Sequence, residues 1–237
     1  MQRFTPLYRL KREATRLARE QKLPRHAALD RIARREGFRT WSHLARSNAE
    51  DGPARALYGG FAAGDLVLLG ARPGQGKTLL GLELIREAVR LGRHGLFFTL
   101  EYSARQLAEP LETLGIDPDR HPERMALDLS DGICARHVLD RLEGLPTGSL
   151  AVIDYLQLLD QKRHLPALGE QLVELREGAR RTGAVIVALS QIDRAFDAAG
   201  DRLPGLEDVR LPNPADLSLF SKACFLHEGR LQVQTVN

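Results

Sequence analysis

The most constraining feature of this chain is the octapeptide Ala71-Arg72-Pro73-Gly74-Gln75-Gly76-Lys77-Thr78, set between the apolar run LVLL and the amphipathic stretch TLLGLELI. A phosphate chain is bound best by successive backbone N–H groups at a helix N-terminus, where the helix dipole also favours negative charge. Gly74 and Gly76 permit that close approach because they lack Cβ. Lys77 supplies a point charge for the β- and γ-phosphates, and the Thr78 hydroxyl is a ligand for Mg²⁺. The pattern matches a phosphate loop with alanine at its first position. In a chain of this composition a chance match arises roughly 1% of the time or less, and the flanking strand and helix make it rarer still. The expected ligands are the phosphate chain of a nucleotide and Mg²⁺.

The rest of the chain supports an α/β fold around that loop. Asp65–Leu69, Gly95–Leu100, Leu150–Ile153 and Ala184–Leu189 read as strands; Thr78–Leu91, Ser103–Leu114 and Pro166–Arg181 read as helices. Strand and helix in alternation imply βαβ units and a mostly parallel sheet covered on both faces. Ala223–Leu226 and Leu231–Val236, around Glu228-Gly229, read as a hairpin or two edge strands.

Binding alone does not hydrolyse a nucleotide. Hydrolysis needs an acid for the metal shell and a group that positions water. Asp154 follows LAVI and Glu101 follows LFFTL, both at the C-terminal ends of expected strands, where an open α/β sheet places its ligands. Asp154 suits the metal shell and Glu101 suits activation of water. Gln191 ends AVIVALSQ, where a neutral amide can contact the γ-phosphate and report its loss. The plainer alternatives are strand-ending acids bonded to a neighbouring helix and a buried amide satisfied by backbone.

Charge divides the chain. Residues 1–50 hold 13 Lys+Arg against 5 Asp+Glu, whereas residues 51–237 hold 21 against 26. A basic head on an acidic body suggests an anionic partner for the head, nucleic acid first; a solvated, arginine-rich helix face is the plain alternative. The head reads as three helices. Leu7, Leu10, Ala14, Leu17 and Ala18 are the inward positions of the first, and Ala28, Leu29, Ile32 and Ala33 of the second, which Gly37 stops. Thr40 or Ser42 caps a third helix carrying Trp41, Leu44 and Ala45. The arrangement fits a helix-turn-helix or a small docking bundle. The expected organisation is a basic helical module over 1–50, a linker over 51–60 and an ATPase domain over 61–237. Two cysteines, Cys134 and Cys224, lack metal-type spacing and point to a reducing cytosol. The longest apolar run, Ala184–Leu189, is far short of a membrane span, so no membrane partner is expected.

Four segments in order, GGFAAGDLVLLGARPGQGKT, FFTLEYSARQL, LAVIDYLQLL and VIVALSQIDR, resemble the ATPase core of DnaB-type replicative helicases across about residues 56–195. The resemblance implies a RecA-like fold and an ATP- and Mg²⁺-dependent motor forming a hexameric ring around single-stranded DNA. It assigns Lys77 and Thr78 to phosphate and metal, Glu101 as the catalytic glutamate, Asp154 as the metal-shell aspartate and Gln191 as the sensor. Segments 156–166 and 192–212 fall where the family has channel-facing loops, with Lys162, Arg163, Arg194, Arg202 and Arg210 as candidate DNA-phosphate contacts. Two departures are expected to matter. No counterpart of the family's arginine finger is found in FSKACFLHEGRLQVQTVN, and the head differs from the family's N-terminal collar.

These readings lead to a cytoplasmic, DNA-dependent ATPase acting in DNA replication, resembling a helicase. The alternative is an ATP-gated binding protein for DNA or a replication partner that hydrolyses slowly or not at all. A small-molecule kinase fits less well, because Glu101 and the ALSQ segment suit water activation and sensing.

Overall fold

The computed structural model describes residues 7–160, 165–193, 195–196, 202–211 and 213–237. In chain order it contains α1 (Leu7–Gln21), α2 (Arg25–Arg35), α3 (Trp41–Asp51), α4 (Pro53–Gly59), β1 (Leu66–Ala71), α5 (Lys77–Arg90), β2 (Gly95–Thr99), α6 (Ala104–Leu114), β3 (Met125–Asp128), α7 (Ala135–Leu142), β4 (Leu150–Asp154), α8 (Leu168–Thr182), β5 (Val185–Gln191), β6 (Lys222–His227) and β7 (Arg230–Thr235). The strands form one sheet in the order β3-β2-β4-β5-β1-β6-β7, parallel except for β7.

Every residue of β1, β2 and β4 is buried. Strands covered on both faces need continuous apolar runs rather than alternation, and LVLL, LFF and LAVI supply them. One apolar layer joins β-strand residues such as Phe98 and Ile153 to α7 and α8; the other joins Phe97 and Val152 to α5 and α6. Packing between α7 and α8 is close. A Cβ placed on Gly178 of α8 would lie 2.2 Å from Leu139 Cδ2.

Register sets the height of the strand ends. Thr99 of β2 pairs with Asp154 of β4, Asp154 with Leu189 of β5, and Ala71 of β1 with Gln191. Because these strands run parallel, their C-terminal ends form one continuous edge.

The expected strands and helices are present with boundaries shifted by a few residues. Ser103 caps α6 through a full capping box with Gln106, which fixes that helix's start. Three elements were not anticipated. β3 is a four-residue strand at the sheet edge with only Met125 fully buried, so its apolar signal is weak. α7 spans eight residues. The third, α4, is a short helix within the segment 51–60 expected as a linker. Pro53 opens it at a position that tolerates a missing N–H. Ala54, Leu57 and Tyr58 then share one buried face, and the Tyr58 hydroxyl donates to the Gly148 carbonyl at 2.6 Å. The terminal hairpin forms, but β6 lies inside the sheet beside β1, so of these two strands β7 alone is at an edge.

The head folds around its own small core of Leu10, Ala14, Ala28, Ile32, Ala33 and Leu44, with Leu17, Ala18, Leu29, Phe38 and Trp41 packed against it. Thr40 Oγ1 accepts from the His43 amide at 3.2 Å and caps α3. Arg35 grips Glu13 with both guanidinium nitrogens, joining α2 to α1.

Candidate nucleotide site

The loop after β1 reverses the chain through Gly74 (φ +76°) and Gly76 (φ +93°), the latter being the N-cap of α5. Both lie in the left-handed region that disfavours a side chain. Gly74 faces open space. The first amides of α5 have no intrahelical acceptor. Pro73 lines the space in front of the loop beside Gly74 and Gly76; the Gln75 side chain accepts from the Glu228 amide at 3.0 Å, which ties the β6–β7 turn to the loop.

Lys77 and Thr78 are buried in the first turn of α5. Lys77 Nζ lies 2.8 Å from Asp154 Oδ1 and 3.3 Å from Glu101 Oε2, and 4.9 Å from the centre of the Tyr155 ring. Burial pulls the ammonium's pKa down, but the two carboxylates outweigh it and hold Lys77 above the ordinary lysine range. A charge this deep persists only when paired.

Asp154 is fully buried and its Oδ2 has no partner. A buried carboxylate oxygen without a donor carries a substantial desolvation cost, and a cation or a metal-bound water would relieve it. Glu101 keeps a third of its side chain in solvent (34%), and its amide is anchored by Thr99 Oγ1 at 3.1 Å. Glu101 thus meets the same lysine from the wetter side. Gln191 is half-buried at the end of β5, beside Ala71 in register, and its carbonyl accepts from the Arg210 amide at 2.8 Å.

The donor set fits a nucleotide-borne Mg²⁺. Among the described residues no group of three or more His, Cys, Asp and Glu is gathered to hold a metal. The site instead offers one hydroxyl and one orphaned carboxylate oxygen, the sparse protein contribution typical when phosphates complete the shell.

The structure therefore brings the phosphate loop, Lys77, Thr78, Glu101, Asp154 and Gln191 to one edge. Lys162, Arg163 and Arg194 lie outside the described residues. Arg202 is engaged by Glu207 and Asp208 at 2.9 and 2.8 Å, which occupies its charge; Arg210 is exposed. Sequence reasoning missed Tyr155 and Gln157. Gln157 is buried, donating to Ser190 Oγ at 3.0 Å and to the Arg210 carbonyl, so it links the segment after β4 to that after β5. A polar residue inside LQLL was the available signal.

The chain is similar in sequence and in fold to known ATPases. A family model described as "ATPase: KaiC" matches residues 36–141. The replicative DNA helicase DnaB of Helicobacter pylori J99 is 30% identical over a 208-residue alignment covering 73% of this chain and 43% of that protein. DnaB of Rhodothermus marinus is 32% identical over 190 residues, covering 65% and 20%. This chain spans less than half the length of these curated relatives. Among solved structures, a DnaB-like replicative helicase superposes with a TM-score of 0.55 at 19% identity, covering 69% of this chain and 47% of that one. A KaiC-like protein of Pyrococcus horikoshii OT3 gives 0.53 at 20%, covering 75% and 81%. At such identities the structural likeness establishes the fold.

Proposed function

From a chain that carries a RecA-like ATPase core of the kind shared by KaiC and DnaB-type helicases, we propose a cytoplasmic, DNA-dependent ATPase that couples ATP hydrolysis to binding or translocation on single-stranded DNA. The observation that carries this reading is the contact of Lys77 Nζ with both Asp154 and Glu101 beneath the glycine loop.

In this reading the backbone from Ala71 to Gly76 wraps the triphosphate. Lys77 leaves its carboxylate partners and neutralises the β- and γ-phosphate oxygens. Thr78 and Asp154 would hold Mg²⁺, which would supply neutralisation of phosphate charge there. Glu101, released from Lys77, orients water and accepts its proton. Gln191 senses the γ-phosphate and passes its loss along the backbone bond to Arg210. Bound Mg-ATP supplies the phosphoanhydride bond that is broken. By likeness to DnaB the working form is a homo-oligomeric ring, a hexamer, acting in DNA replication.

The Lys77–Glu101 contact favours a second reading, an ATP-gated switch in which the acid needed for water activation stays engaged. Phosphate release with and without single-stranded DNA separates the two. A DNA-stimulated ATPase lost in Lys77→Ala is expected. Lys77-dependent nucleotide binding without turnover would favour the switch, and no Lys77-dependent turnover in either condition would overturn the ATPase reading.

A further inference from the structure

The cavity in front of the phosphate loop has a volume of 690 Å³, within the range of ligand pockets. Its back wall is the loop, Glu101 and Gln191, and part of its side is α6. The head lines the opposite side with Lys11, Arg12, Thr15, Arg16 and Arg19 of α1, and Arg25 at the start of α2. The i, i+4 spacing of Arg12 and Arg16, with Arg19 one turn on, puts these cations on one face of α1. That face is opposite in purpose to the Leu10–Ala14 stripe that packs inside the head.

The charge of the cavity is lopsided. Six cations line it, counting Lys77, against two acids, Glu101 and Glu109. The acids are not distributed to neutralise the head's share. Glu101 is taken by Lys77. Arg16 has a loose, exposed contact with Glu20 of its own helix at 3.6 Å. Among the described residues Arg12, Arg19 and Arg25 form no ion pair. Like charges are crowded together as well: after burial, the nearness of Arg25 depresses the pKa of Lys11, and Glu112 of α6 offsets this only in part. A cationic face assembled against its own repulsion, across a cavity from a phosphate loop, is complementary to a polyphosphate.

We propose that the head is the second wall of the nucleotide site: Arg12 and Arg16 of α1, with Arg25, contact the phosphates of the nucleotide held by the loop of the same chain. This rests on the reading of the loop as an ATP site and adds to it the residues that close it. By linkage, whatever draws the head toward bound nucleotide also makes nucleotide hold the head against the core.

The test uses the full chain and Mg-ATPγS as probe, with affinity read by calorimetry. Arg12→Gln/Arg16→Gln is compared with Arg34→Gln/Arg39→Gln, an equal loss of charge on exposed head residues that do not line this cavity. The first pair should weaken binding about tenfold or more, the scale of one lost charge-assisted hydrogen bond; the second should leave affinity within about twofold. Amide exchange over α1 should slow when the probe is added to the unmodified chain. Equal affinity in both double variants, with binding still dependent on Lys77, overturns the role of the head and leaves the ATP site standing. Unchanged nucleotide affinity with weakened binding of an oligo-dT strand also overturns it, by assigning these cations to nucleic acid. If the unmodified chain itself shows no Lys77-dependent binding, the ATP-site reading fails and the proposal falls with it.

Discussion

The sheet domain and the head bury apolar surface by different means. In the sheet, parallel strands fix one another's height, so Asp154, Gln191 and the loop after β1 arrive at one edge as a consequence of register. Among the described residues the head has six buried apolar residues and no strand. Its helices are fastened by one cap and by exposed ion pairs such as Arg35 with Glu13, which contribute little each. The core is therefore suited to hold charges at fixed distances.

The comparison is sharpened most by Glu101→Gln. Replacing the acid by its amide keeps shape and removes the proton acceptor. Turnover should fall about 100-fold or more while Mg-ATPγS affinity is retained, as measured by phosphate release beside calorimetry. A parallel loss of binding would mean that Glu101 is structural.

Leu44→Ala addresses the head. It removes a fully buried side chain of the head's core and should destabilise the head by about 2–4 kcal/mol, while thermal unfolding of the sheet domain stays in place. A single transition shifted as a whole would show that head and core unfold as one unit, which breaks the contrast.

Glu83 addresses the core. It is buried on α5, and loss of hydration, opposed by Arg86 and reinforced by Glu87, pushes its carboxyl up to about 7 from 4.5. The folded form thus binds the proton more tightly than the unfolded chain. The associated stability is fully present below about pH 4.5 and is lost as pH rises through about 7, by up to ~3 kcal/mol. Glu83→Gln should flatten the denaturation midpoint between pH 5 and 8. An unchanged slope would remove Glu83 as its source.

The smallest effect is expected from Thr40→Ala, which deletes the cap of α3 and should cost the head ~1 kcal/mol, read as a shift in its unfolding midpoint alone.

Much of this was legible beforehand because the core is written in long, unambiguous signals. A loop as specific as Gly74-Gln75-Gly76-Lys77-Thr78 names its ligand class, and apolar runs ending in Asp154 and Gln191 place those residues at strand ends. Short or mixed signals were not legible. β3 has one buried residue on an edge, and α4 hides an inward face of Ala54, Leu57 and Tyr58 inside a composition that reads as linker. The contact of Lys77 with two carboxylates depends on which strands are neighbours, a fact of topology that no local pattern carries. The placement of the basic face of α1 across the cavity from the loop is of the same kind: charge was readable, its address was not.

The central claim is that Mg²⁺ and an adenine nucleotide are bound by the loop after β1 and by the acids facing it. Calorimetric titration of the full chain with Mg-ATPγS tests it directly. The account predicts one site per chain, lost on chelation of magnesium and lost in Lys77→Ala. Absence of binding heat, or equal binding by Lys77→Ala, would contradict it.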